Sequence, residues 1–171
     1  MEIKTKFFGE INLAEEQIIM FPYGIYGFEN LSRFVLLHDE ENEEREEHEE
    51  YDEYNEYENN MIFRWLQCVD DENLCFTVIE PKYICKDYNP KLPANSLNIL
   101  KKSNDNYNGS DNGEDLIYLV IAVIYENIIE STVNLLGPIV INAKTQVGAQ
   151  IILESSELQN SEYKIKHKIF N

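Results

Sequence analysis

Hydrophobic positions along this chain fall mostly into short runs rich in β-branched and aromatic residues, closed by Gly, Pro or polar clusters. That is a strand pattern. "IKTKFFGEINL" (residues 3–13) is rich in β-formers and broken by Gly9, which predicts a strand with a bulge or tight turn. "QIIMF" (17–21) reads as a short strand stopped by Pro22. "PYGIYGFENLSR" (22–33) sets Gly24 and Gly27 among apolar residues, as in a structured turn. "RFVLLHD" (33–39), "IFRWLQCVDD" (62–71), "LCFTVIEP" (74–81) and "KYIC" (82–85) continue the β pattern.

"LIYLVIAVIY" (116–125) is apolar without alternation, which predicts a strand buried on both faces. "STVNLLGPIVINA" (131–143) and "QVGAQIIL" (146–153) add β-branched segments punctuated by Gly and Pro. The one helix candidate lies in "NPKLPANSLNILKK". There Pro93 sits near the start, Ser96 to Lys102 supply two turns, and basic residues stand at the end. The pattern predicts an all-β fold: a small antiparallel β-barrel-like or sandwich domain over residues 1–171, with at most one short helix.

Composition supports a real core. The 171 residues are 43% hydrophobic, with 11 Tyr and 8 Phe. Charge then changes the picture. The net is −18, and residues 39–58 alone hold thirteen acidic side chains against one arginine, a local −12 that leaves −6 elsewhere. Such a balance repels a phosphate backbone, so direct nucleic-acid binding is disfavoured and a basic protein partner is favoured. The acidic run lacks apolar periodicity, and its like charges repel. It reads as an inserted, solvated loop over about 39–60 rather than as a shared working element. A second polar loop is expected at about 103–115.

Cys68, Cys75 and Cys85 are odd in number, without C-x-x-C spacing, and read as reduced thiols in a cytoplasmic protein. No charged-then-apolar leader opens the chain, and the longest apolar run is half of what spans a bilayer, so no membrane role is expected.

Candidate chemistry is sparse. "NDNYNGSDNGED" places Asn104, Asn106, Asn108, Gly109 and Asp115 near the spacing of a calcium loop. It lacks the first carboxylate, however, and a strand follows where a helix should. An acidic metal-binding (calcium) module or a hydrolase-type enzyme is therefore the alternative reading. His38, His48 and His167 belong to no nucleophile or metal motif, and Asp70 and Asp71 suit an exposed turn better than acid–base work. No catalytic residue, metal or cofactor is expected.

The remaining candidates are surface features. Ile25, Tyr26 and Phe28 form either an apolar plug at a barrel end or an aromatic anchor for a partner. Asp70, Asp71, Asn134, Asn142 and Lys144 are polar contact candidates, with bonding to turn backbone the competing role for the asparagines.

Three stretches, "IKTKFFGEINLAEEQIIMFPYGIYGFENLSRFVLL", "WLQCVDDENLCFTVIEP" and "TVNLLGPIVINAKTQVGAQIIL", together closely resemble the FliW family of flagellar assembly factors. The combination F-G-x-I, F-P-x-G-x-x-G-F and V-N-L-x-x-P-I-V-I-N carries the resemblance, over about four-fifths of the chain. It implies a small monomeric barrel-like protein without catalytic activity and with two partners, flagellin and the RNA-binding translational regulator CsrA. In such a family, the factor released by exported flagellin binds CsrA and ends its repression of flagellin messenger RNA. The acidic run and "KKSNDNYNGSDNGED" are longer than that pattern, and both fall between strands, where insertions are tolerated.

Overall fold

A computed structural model describes residues 1–38, 63–100, 115–154 and 163–170. The long insertions at 39–60 and 103–115, and with them Asn104, Asn106, Asn108 and Gly109, lie outside the described residues apart from Asp115. Among the described residues eleven strands run in chain order: β1 (Glu2–Thr5), β2 (Gly9–Asn12), β3 (Ile19–Met20), β4 (Arg33–Leu37), β5 (Phe63–Cys68), β6 (Cys75–Ile79), β7 (Leu116–Val123), β8 (Thr132–Val133), β9 (Ile139–Asn142), β10 (Val147–Gln150) and β11 (His167–Lys168). The α-helix among the described residues is α1 (Ala94–Ile99). It lies close to the expected place, with Pro93 at its N-cap position.

The sheet closes on itself. β3, β4, β5, β6, β7, β9 and β10 pair in a ring, because β7 pairs with β6 at Val120–Ile121 and with β9 at Leu116–Leu119. Closure removes the open edges that invite aggregation. The ring is antiparallel except where β10 meets β3 in parallel, Val147 opposite Met20, so the barrel is mixed rather than wholly antiparallel. β8 and β11 extend the sheet beside the last residues of β7.

Alternation places the core. Ile19, Phe34, Leu66, Val78, Leu119, Ile139 and Ile141 point inward with Phe21, whose ring meets Phe34 edge-to-face at 5.1 Å. The neighbouring positions point outward and are covered as well. Val35 lies under the β1–β2 hairpin with Ile3 and Leu13. Ile79, Val120 and Val133 lie under Tyr83, Tyr88, Tyr163 and Ile169. Val140 and Ala149 pack with Leu100, which follows α1. This double coverage is why β7 carries almost no polar residue, as expected from its sequence.

Gly9 has φ +68° and makes the tight turn between β1 and β2. Three local readings change. Residues 82–85 are not a strand: Pro81–Tyr83 form a 3₁₀ turn, with the Ile84 N–H donating to the Pro81 carbonyl at 3.0 Å. Pro81 has no N–H for a ladder, which ends β6 there. Cys85 accordingly lies off the strands, half-buried, while Cys68 is in the barrel interior. The stretch 131–143 is two strands, β8 and β9, separated at Asn134–Pro138.

Candidate functional site

Strand directions sort the candidates onto the two ends of the barrel. The turn 21–32, the β5–β6 turn at 69–74, the β7–β8 connection and the Asn134–Pro138 break all lie at one end. The β9–β10 turn lies at the other. So do His38 and Phe63, between which the acidic run is inserted. Ile25, Tyr26, Phe28, Asp70, Asp71 and Asn134 therefore share one end, and Asn142 and Lys144 do not.

Turn 21–32 is built on two glycines with positive φ, Gly24 at +65° and Gly27 at +87°. The Gly24 N–H donates to the Phe21 carbonyl at 2.9 Å and the Phe28 N–H to the Ile25 carbonyl at 2.7 Å. This winding splits the apolar triplet. Ile25 is 1% exposed and plugs the barrel interior, so it anchors the turn and offers no surface of its own. Tyr26 is 78% exposed. Phe28 is half-buried, edge-to-face on Phe76 at 5.5 Å.

The Tyr26 N–H donates to Gln150 Oε1 at 3.0 Å, and Gln150 Nε2 donates to the Gly137 carbonyl at 3.3 Å. A Cβ on Gly137 would stand 2.8 Å from Asn134 Nδ2, so Asn134 lies directly alongside. Gln150 thus ties the Tyr26 turn to the Asn134–Pro138 break, a connector that sequence reading passed over. Asn134 Oδ1 accepts the Leu136 N–H at 3.1 Å, which shapes the break between β8 and β9.

Asp70 is clamped by Arg33, whose Nε donates to Asp70 Oδ2 at 3.0 Å and whose Nη2 also reaches the same carboxylate. The hydrogen bonds from the guanidinium hold the Asp70 carboxyl below the ordinary carboxylate range. Asp71 Oδ1 accepts the Asn73 N–H at 2.9 Å, an Asx turn. Beneath them Gln67, fully buried, accepts the Lys6 N–H on Oε1 at 3.0 Å. Its Nε2 donates towards the carbonyls of Cys68 and Asp71, both at 3.0 Å. Gln67 is the second residue overlooked from sequence, although a lone amide inside "FRWLQCV" was its signal.

Asn142, at the opposite end, is 8% exposed and accepts the Lys144 and Thr145 N–H groups on Oδ1 at 3.0 and 3.1 Å. Lys144 itself is exposed on that turn.

A depressed carboxyl adds stability above its unfolded value and loses it as pH falls through the folded one. The Arg33–Asp70 clamp should therefore hold β4 to the β5–β6 turn above about pH 4 and fade below it. We expect Asp70→Asn to lower the melting temperature slightly at neutral pH, with the gap to wild type closing in acid. A gap that widened in acid would contradict the clamp. Partial exposure keeps the effect within about 1 kcal/mol.

Catalytic arrangements do not form among the described residues. No group of three or more His, Cys, Asp or Glu side chains is placed to hold a metal there. His38 and His167 sit on different elements. A cleft of about 470 Å³ at the other end has Arg64 and Lys82 both bound to Glu80, at 3.2 and 2.6 Å. Tyr88 borders it, its hydroxyl donating to the Leu135 carbonyl at 2.8 Å and its ionisation opposed by burial. Neither group is set up as a base. Asp115, the described member of the calcium-loop spacing, has its carbonyl accepting the Ala143 N–H at 2.9 Å, in barrel pairing.

The features together are those of a small closed barrel whose distinguishing groups sit on one end's surface turns. Comparison with known proteins then gives the family. The FliW protein family model matches residues 2–45 and 46–169. A flagellar assembly factor FliW from Caldanaerobacter subterraneus subsp. tengcongensis is 37% identical, over 99% of this chain and 93% of that protein. Another, from Clostridium tetani, is 35% identical over 99% and 96%. A crystal structure of the flagellar assembly factor FliW superposes with a TM-score of 0.72 at 30% identity, covering 100% of this chain and 98% of the other. The chain belongs to the FliW family.

Proposed function

We propose that this protein is a cytoplasmic, non-enzymatic regulator of flagellar assembly that binds CsrA, relieves its repression of flagellin messenger RNA, and exchanges it for flagellin. The full-length match to flagellar assembly factors carries this reading. The barrel end bearing Tyr26, Phe28, Asp71 and Asn134 is its candidate contact surface. An exposed aromatic on an end that also carries the exposed carboxylate of Asp71 suits a partner that is basic around an apolar centre. Asp70 contributes less, since Arg33 already neutralises it. Ile25 acts from beneath, by holding Tyr26 outward. The acidic run, which falls between His38 and Phe63 in the sequence, adds negative charge that discourages RNA within about a Debye length of it, roughly 8–10 Å, and is not counted in the docking surface.

Asp71→Lys combined with Tyr26→Ala should leave the free energy of unfolding within about 1 kcal/mol of wild type, since both side chains are exposed. Affinity for CsrA should fall at least tenfold. Co-purification with tagged CsrA, with and without flagellin, measures this. Full retention by the double variant would remove this end of the barrel from the site, and simultaneous binding of CsrA and flagellin would overturn the exchange.

A further inference from the structure

Beside the Asn134–Pro138 break lies a surface whose charge runs against that of the whole chain. Residues 163–170, "YKIKHKIF", contain three lysines and no acid, in a protein of net charge −18. β11 pairs with β8, His167 opposite Val133 and Lys168 opposite Thr132, and lies last in the sheet order. Tyr163 and Ile169 are buried and pin the segment at both ends, leaving Lys164, Ile165, Lys166 and Lys168 exposed between them. Ile165 is 64% exposed. Lys168 Nζ donates to the Ile129 carbonyl at 3.3 Å, which brings in Ile128 and Ile129 of the neighbouring turn, both more than half exposed. Ile165 thus stands in solvent among the three lysines of this segment, and Ile128 and Ile129 stand in solvent on the adjoining turn that Lys168 touches, where Glu130 is the exposed acid.

We propose that this patch docks an amphipathic segment of another protein, one that carries aspartate or glutamate around an apolar stripe. Exposed isoleucines on two adjoining segments are unusual on a surface with no partner, and three lysines against the one acid of the turn, Glu130, select the sign of the partner's charge. A second copy meeting the patch face to face would oppose lysine to lysine, which disfavours self-association through it. Lysines also guard short edge strands against aggregation. That role needs neither the isoleucines nor any affinity for an acidic ligand.

The test uses the full chain and two synthetic amphipathic peptides with the same leucine stripe, one with glutamates on its polar face and one with lysines. Binding is followed by fluorescence anisotropy at low salt. The acidic peptide should bind in spite of the −18 net charge, weaken at least tenfold with Lys164→Glu/Lys166→Glu, and weaken likewise with Ile129→Asp. Those sites are exposed, so unchanged circular dichroism should accompany the loss. The basic peptide, drawn to carboxylates elsewhere, should be indifferent to these substitutions. Absence of acidic-peptide binding, equal binding by the variants, or capture of single-stranded RNA by the lysines in place of the peptide would each overturn the proposal. None of these outcomes involves CsrA or flagellin, so the proposed function stands or falls separately.

Discussion

Gly148→Ala should destabilise the barrel by about 3 kcal/mol, at the upper end of what overpacking a core costs. Gly148 lies on β10 opposite Ile141 of β9. A Cβ there would fall 2.5 Å from Phe21 Cζ and within 3 Å of both Cε atoms. Phe21 has no room to retreat: it is fully buried and held against Phe34. The missing side chain on β10 is what lets the Phe21 ring lie across the barrel interior, next to the parallel β3–β10 pairing. Thermal denaturation should show a loss of roughly 8–10 °C. Phe21→Leu is itself destabilising, but adding it to Gly148→Ala should cost less than the two losses summed, because the smaller side chain vacates the space that Cβ needs. Strictly additive losses would show that the ring and the glycine are not coupled.

This contact could not be read from sequence, and the strand pattern that pointed to a barrel-like or sandwich domain did not decide between them. Strand identity was legible because short runs of β-branched and aromatic residues closed by turn residues, such as "RFVLL" and "CFTVI", are a local signal, whereas which of Phe34 and Val35, or Val78 and Ile79, faces the interior was not. The unbroken apolar run of β7 announced burial on both faces. Closure depends on Val147 finding Met20 and on β7 finding β9, pairings between residues far apart in the chain that no local pattern encodes. Strands of two residues, such as β8 and β11, are too short to show a period. In the site, the glycines of turn 21–32 were legible as turn formers. Which of Ile25 and Tyr26 points inward is decided by how the chain winds between Gly24 and Gly27, which the sequence does not display. Asp71 and Asn142 turned out to satisfy turn backbone, the ordinary role of Asp and Asn in such places. The Arg33–Asp70 clamp joins residues of two strands and needed the β4–β5 register to be seen.

Gly24→Ala should be the most damaging single change in the turn that presents Tyr26, and Gly27→Ala supplies its control. Both glycines have positive φ, so an added Cβ strains either backbone by about 1 kcal/mol. Their surroundings differ. At Gly27 a Cβ meets nothing within 4 Å. At Gly24 it would fall 2.4 Å from the Phe28 carbonyl oxygen and 2.6 Å from Glu29 Cα, backbone atoms that cannot swing aside as a side chain can. Relief requires the turn to open, which withdraws Ile25 from the interior and breaks the Phe28 N–H to Ile25 carbonyl bond. Gly24→Ala should therefore cost at least about 2 kcal/mol more than Gly27→Ala. Amide hydrogen exchange should locate the damage, with Phe28 and Leu31 losing protection while β5 and β7 keep theirs. Equal losses from the two substitutions would mean that φ strain alone governs the turn. A larger loss at Gly24 would tie the exposure of Tyr26 to how tightly Ile25 plugs the barrel beneath it.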